Sequence, residues 1–302
     1  MRANKILAIA SAAVIITLAV AVVASYHSTS PATAARALQR PLTPLGKGTA
    51  THRASQQIDL INQQKISPTT LQPETGRAFS LARNRPMRPP GNGLAYVEGL
   101  LPASKSGSAV ASYEIFLAIL DCGNSLRYGG QEYEPAGPKK DSSLSGNELN
   151  EARQALMDCE SLLTNKKYQS SDWLELAAKQ GSVEAMLMYS LNPEHLLGAP
   201  SEHALKPALV EKWKHDSMSY LEQAASLGSV EALYRLSDAY SSNVLTEPDP
   251  VEAYAYRIAL SKTTGRPLEE WETRRFQEPL SPSQIPQAEA RSNEIVMNCC
   301  IE

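Results

Sequence analysis

The sequence contains no Cys-x-x-Cys, no His-Glu-x-x-His and no Ser-x-x-Lys. It therefore lacks the spacings that build structural or catalytic zinc sites, or that acylate a serine in the β-lactamase manner. Aromatic residues make up only 6% of the chain, and most are Tyr: 12, against 3 Phe and 3 Trp. Cationic character is also missing. The formal net charge is −3 and the pI about 6.0, with no clustered basic face of the kind nucleic acid requires. The expectation is a non-enzymatic chain with no cofactor, no metal and no nucleic-acid partner. His195, His203 and His215 lie 8 and 12 residues apart, a spacing that suits packing or solvent exposure better than metal binding. Gly91-Asn92-Gly93 is too short to cradle a phosphate and fits turn chemistry. Glu269, Glu270 and Glu272 beside Arg274 and Arg275 read as a solvated helical face.

Charge is absent from one long stretch. Behind Arg2 and Lys5, residues 6–25 form an uncharged run, ILAIASAAVIITLAVAVVAS. A secretory signal has an apolar region of about 7–15 residues; about 20 are needed to cross a bilayer as a helix. Positive charge before the run favours an orientation with the N-terminus inside. The expectation is a signal anchor over 1–26: single-pass in the inner membrane, with the C-terminal part periplasmic. Small residues at 19–24 leave open the alternative of cleavage and release into the periplasm. Residues 27–93 then turn rich in Pro, Thr, Ser, Gln and Gly, with prolines at 31, 41, 44, 68, 73, 86, 89 and 90. Such composition reads as a disordered, rather stiff tether, with a short helix near 58–65. Arg77, Arg83, Arg85 and Arg88 lie among its prolines and read as solvated linker residues.

Beyond residue 93 the pattern is helical. The segment 108–127 has apolar residues on a helical period, as does 146–165, and together they predict an antiparallel hairpin or cap over 94–170. The chain then repeats itself. WLELAAKQGSVEAMLMYS at 173–190 aligns with YLEQAASLGSVEALYRLS at 220–237, identical at 10 of 18 positions. Self-similarity at such a period points to a solenoid. Ala177-Ala178 and Ala224-Ala225 let helices approach closely. Gly181 and Gly228 permit the left-handed conformation that ends a helix. Ser182 and Ser229 stand where an N-cap is wanted. Glu184 and Glu231 fall in the next first turn, where negative charge suits the helix dipole. Asp249-Pro250 opens a further helix as cap and first helical residue.

These residues resemble the Sel1-like repeat family, relatives of the tetratricopeptide repeats. The signature positions are Ala177, Ala178, Gly181 and Ala185, then Ala224, Ala225, Gly228 and Ala232. The stretch 249–264 is similar to the family's second helix, and 280–290 to a capping helix. The resemblance covers about 173–292. It departs from the family where the loop after Ser190 carries Pro193, Pro200 and Pro207. It implies an all-α αα-hairpin solenoid over 171–302, a superhelix that binds other proteins, often as an adaptor in envelope or signalling assemblies. The rival expectation is an envelope enzyme or binder acting on peptidoglycan or its precursors, supported only by the compartment. Tyr234, Tyr240, Tyr254 and Tyr256 are expected in inter-helix packing, with partner contact as the alternative.

Four cysteines allow three pairings, and an extracytoplasmic location lets them oxidise. Cys122–Cys159 is favoured because each lies in one arm of the expected hairpin; two free buried thiols are the alternative. Cys299 and Cys300 are adjacent, and can form a vicinal disulfide, link another chain or stay reduced.

Overall fold

A computed structural model describes residues 50–128, 146–169 and 172–301. The apolar run 6–25 lies outside them, and among the described residues no helix is long and apolar enough to cross a membrane. Residues Gly48–Glu302 form one unit. It is mostly helical, and its helix pairs fit an α-solenoid.

The pairs follow one another along the stack. The first is α2 (Gly93–Lys105) with α3 (Ala109–Tyr128), flanked by α4 (Gly146–Leu163) and a short α5 (Lys166–Gln169). The second is α6 (Trp173–Lys179) with α7 (Val183–Leu191). After α8 (Glu194–Leu197) and a 3₁₀ turn (Pro200–Leu205) comes the third, α9 (Pro207–Ser226) with α10 (Val230–Ser241). The fourth joins α11 (Pro250–Thr264) to α13 (Gln284–Cys299), with α12 (Glu270–Gln277) between. Each pair's second helix packs on the next pair's first: α3 on α6, α7 on α9, α10 on α11.

The local chemistry of the repeated block accounts for its turns. Ala177, Ala178, Ala185, Ala224, Ala225 and Ala232 are all buried at the helix contacts. Gly181 has φ +99° and Gly228 φ +101°, a region that side chains beyond glycine rarely enter. Ser182 Oγ accepts from the Ala185 N–H and Ser229 Oγ from the Ala232 N–H. Asp249 caps α11 through the N–H groups of Val251 and Glu252, with Pro250 beginning the helix.

The first pair is built on the same plan, which the sequence reading missed. Ala103-Ser104-Lys105-Ser106-Gly107-Ser108 stands where Ala177 to Ser182 stand in the second. Gly107 has φ +95°, and Ser108 Oγ accepts from the Ala111 N–H at 3.2 Å. Val110 replaces the acid of the other two copies, and that substitution hides the third copy. The expected hairpin of 94–170 is therefore a repeat-like pair with α4 laid against it. The disulfide Cys122–Cys159 ties α3 to α4. Cys299 and Cys300 are bonded to each other.

The expected tether of 27–93 is corrected from residue 50 onward. Residues 50–62 form α1 (Ala50–Asn62), and β1 (Leu71–Pro73) pairs antiparallel with β2 (Phe79–Leu81), Leu71 opposite Leu81. This two-stranded ribbon also qualifies the all-α expectation. Leu60, Ile66, Ala78 and Phe79 join the common core, Ile66, Ala78 and Phe79 at 0% exposure. A fully buried Ile or Phe contributes about 1.5–3 kcal/mol, and composition alone does not reveal that a Pro-rich segment carries two of them.

The arginines of this strap are anchored rather than free in solvent, although Arg85 stays exposed. Arg83 and Arg85 each grip both oxygens of Glu114 on α3, at 2.7 to 3.3 Å. Arg88 Nε lies 2.9 Å from Asp121. Arg77 donates to the carbonyls of Met297 and Asn298 at the end of α13.

Candidate interaction cleft

The repeat turns grip the strap in register. Glu184 Oε1 accepts from the Ser67 N–H at 3.0 Å and from Thr70 Oγ1 at 2.8 Å. Glu231 Oε1 accepts from the Leu81 N–H at 2.8 Å. In both copies the cap serine steadies the acid's second oxygen: Ser182 donates to Glu184 and Ser229 to Glu231. Backbone bonds complete the seam. Val110 N–H donates to the Gln64 carbonyl, Val183 N–H to Lys65 and Phe79 N–H to Gly228. The signature acid thus serves the helix dipole and also captures a backbone donor of an extended segment.

Close approach explains the glycines a second time. A Cβ on Gly228 would lie 2.9 Å from the Arg77 carbonyl oxygen, whereas one on Gly107 meets nothing within 4 Å. Both residues have positive φ, so Gly107→Ala is expected to cost about 1–3 kcal/mol of backbone strain. Gly228→Ala is expected to cost more, because the strap must also move. Urea denaturation of the two variants beside the parent chain checks the order; equal losses would mean the strap is not seated at Gly228.

Burial raises the pKa of the Glu184 carboxyl, while hydrogen bonds from Ser67, Thr70 and Ser182 act against the rise. The folded chain then holds this proton more tightly than the unfolded chain. Acidification through the window between the ordinary carboxylate value and the native one adds stability from this group. Glu175 and Glu202 work the other way. Despite desolvation, Lys212 and Lys179 lower the pKa of Glu175, and Lys206 lowers that of Glu202. Subtracting the urea-denaturation pH profile of Glu184→Gln from that of the parent isolates the Glu184 contribution. The parent's relative gain toward mildly acidic pH is the expected result; identical profiles would contradict it.

Beside the seam the strap forms one wall of a cleft of about 600 Å³. Gln72, Glu74 and Ser80 line that wall; α10 contributes Glu231, Tyr234 and Arg235. Arg257, Leu260 and Thr264 of α11, with Arg266 and Leu268 beyond it, line the far side. Arg257 stacks between Tyr234 and Phe276, its guanidinium carbon 4.7 and 4.9 Å from the two ring centres. Its nitrogens reach Asp238 at 3.4 Å and Glu272 at 3.8 Å. Arg235 makes no hydrogen bond or ion pair with the described residues. Burial lowers its pKa, against the attraction of Glu231 and Asp238.

The four tyrosines singled out in the sequence separate. Tyr234 is 46% exposed and lines the cleft. Tyr254 and Tyr256 are buried: Tyr254 stacks on Phe276 and Tyr256 on Tyr240, the second pair at 5.8 Å and 8°. Those three pack helices together. His195 lies edge-on to Tyr189 at 4.7 Å, with Nε2 3.6 Å from Asp172. Among the described residues one group of three potential metal ligands comes together, Asp121, Cys122 and Cys159. Its two sulfurs are bonded to each other and Asp121 faces Arg88. Arg235 and Arg266 were not anticipated from the sequence. The signal available was an arginine directly after the exposed tyrosine of a repeat helix, which composition does not separate from any solvated arginine. Comparisons with protein-family models, with curated proteins and with solved structures find no match.

Proposed function

We propose that this chain is a Sel1-like, non-enzymatic protein-interaction module. Residues 6–25 hold it at the inner membrane and the helical array faces the periplasm. The observation that carries the reading is the cleft between strap and array. It is walled by a repeat helix, open to solvent at Tyr234 and lined by arginine, glutamate, hydroxyl and aliphatic groups suited to a peptide. The in-register repeat turns support the Sel1-like assignment. The Cys122–Cys159 and Cys299–Cys300 bonds fit an oxidising compartment, and the apolar run behind Arg2 and Lys5 fits an anchor.

The test is site-directed photocrosslinking of the full chain in its native membrane. A photoreactive residue at position 234 is expected to give a discrete protein adduct. The same residue at Trp271, exposed but outside the cleft, serves as the control and gives none. Turnover of cell-wall fragments by the purified full chain, abolished by one polar substitution in the cleft, would overturn the reading in favour of an envelope enzyme.

A further inference from the structure

We infer that the outward face of α4 is a self-association surface, on which two copies of this chain meet with their α4 helices antiparallel and Arg153 of each copy paired with Glu160 of the other. Helix α4 lines no part of the cleft, so this contact and a peptide in the cleft are separate events.

The helix packs on α2 and α3, with Ala152, Cys159 and Leu162 buried. The Cys122–Cys159 bond fixes which side points inward. The outer helix of a stack ordinarily turns a polar face to water. Here Leu149 is 49% exposed, Leu156 36% and Met157 63%. At 3.6 residues per turn these three share a face about 100° wide with Arg153 and Glu160. Single exposed apolar side chains are ordinary, whereas these three form one stripe.

The two charges of the stripe are exposed, and neither makes an ion pair with the described residues. Three and four residues from Arg153 stand Leu149, Asn150, Leu156 and Met157; from Glu160, Leu156, Met157, Leu163 and Thr164. Neither charge therefore has an opposite within reach on its own helix. Asp158 is engaged by Gln154 and the Gly91 N–H, and Glu151 falls nearly opposite the stripe on the helical wheel.

The order along the stripe is self-complementary. A two-fold axis passing between Leu156 and Met157 sets each residue opposite the one equally far along on the other side. Leu156 then meets Met157 of the partner subunit, and Arg153 meets Glu160 of the partner subunit. Symmetry makes each contact twice, giving an apolar centre closed at both ends by an ion pair. A parallel pairing would set each charge against its own copy, and like charges repel. The helix has 18 residues, a length of about 27 Å. One face of it buries less than the roughly 1,200 Å² at which stable complexes begin, so the dimer is a weak, reversible one.

The experiment is sedimentation velocity of the detergent-solubilised full chain from low to high micromolar concentration. The parent is expected to pass from monomer to dimer. Arg153→Glu and Glu160→Arg are each expected to weaken the dimer about tenfold, because two attractions become two repulsions. The double variant is expected to return close to the parent. An equal mixture of the two single variants is expected to dimerise where neither does alone, because each supplies the charge the other needs. Met157→Asp, at an exposed position, is expected to abolish the dimer, with far-UV circular dichroism unchanged. A parent that stays monomeric throughout would leave the stripe to another protein or to lipid and overturn the inference. A dimer that no substitution weakens would place the contact elsewhere, the apolar run 6–25 included, and overturn it too. Single variants rescued neither by the double variant nor by mixing would do the same.

Discussion

Replacing Cys122 and Cys159 together by alanine is expected to lower the unfolding free energy by roughly 4 kcal/mol, the chain-entropy value for closing a loop of that size. The bond spans a sequence separation of 37 and ties α3 to α4. Both sulfurs are fully buried, so the alanines also leave a small void. The Cys299–Cys300 bond makes a sharp contrast. Its separation is 1, so it constrains almost none of the unfolded chain, and Cys299→Ala with Cys300→Ala is expected to lose little by this route. A reductant breaks both bonds at once and cannot apportion the loss. Urea denaturation of the two double variants separates them. Similar losses in both would mean that loop closure is not the source of the stability.

Glu114→Ala is expected to cost about 3 kcal/mol, the lower end of the range for removing one partner of a buried ion pair. The Glu114 side chain is 5% exposed and is held by Arg83, Arg85 and the Tyr96 hydroxyl. Without the carboxylate, Arg83 keeps only the carbonyls of Pro86 and Met87. Arg85, at 38% exposure, recovers part of its hydration, which holds the figure down. The loss should be concentrated in the strap. Under native conditions trypsin is expected to cut after Arg83, which Asn84 follows, faster in the variant, while far-UV circular dichroism reports the helices intact. Unchanged cutting would mean that the apolar contacts of Ile66 and Phe79 hold the strap without help. Glu114→Gln retains one acceptor and is expected to lie between the parent and the alanine variant.

These residues also mark how far the sequence could be read. The turns were legible because their causes are local. A glycine at positive φ, a serine cap three residues before its donor and paired alanines all sit within one short window, twice over. The strap was not legible, because nothing within it dictates order. Ser67 and Leu81 are held by Glu184 and Glu231, more than 100 residues away, and Arg83 and Arg85 by a carboxylate on another element. A segment of this composition looks like tether until its partners are known. The cleft was half legible. Tyr234 was among the candidates, but so were Tyr240, Tyr254 and Tyr256, which pack inside. Arg235 and Arg266 line it as well, and only the assembled fold brings them there.

The Arg77 N–H bonds the carbonyl of Cys300 at 2.7 Å, almost the whole length of the described chain away. A ribosome delivers the strap early and its last docking partner nearly at the end. Until α13 emerges, Arg77 lacks the carbonyls of Met297, Asn298 and Cys300 that receive it, and the young strap is held only by the earlier turns. Contacts between such distant residues also slow folding. Truncation of the last few residues should therefore loosen the strap around Arg77, near the other end of the sequence though beside them in space.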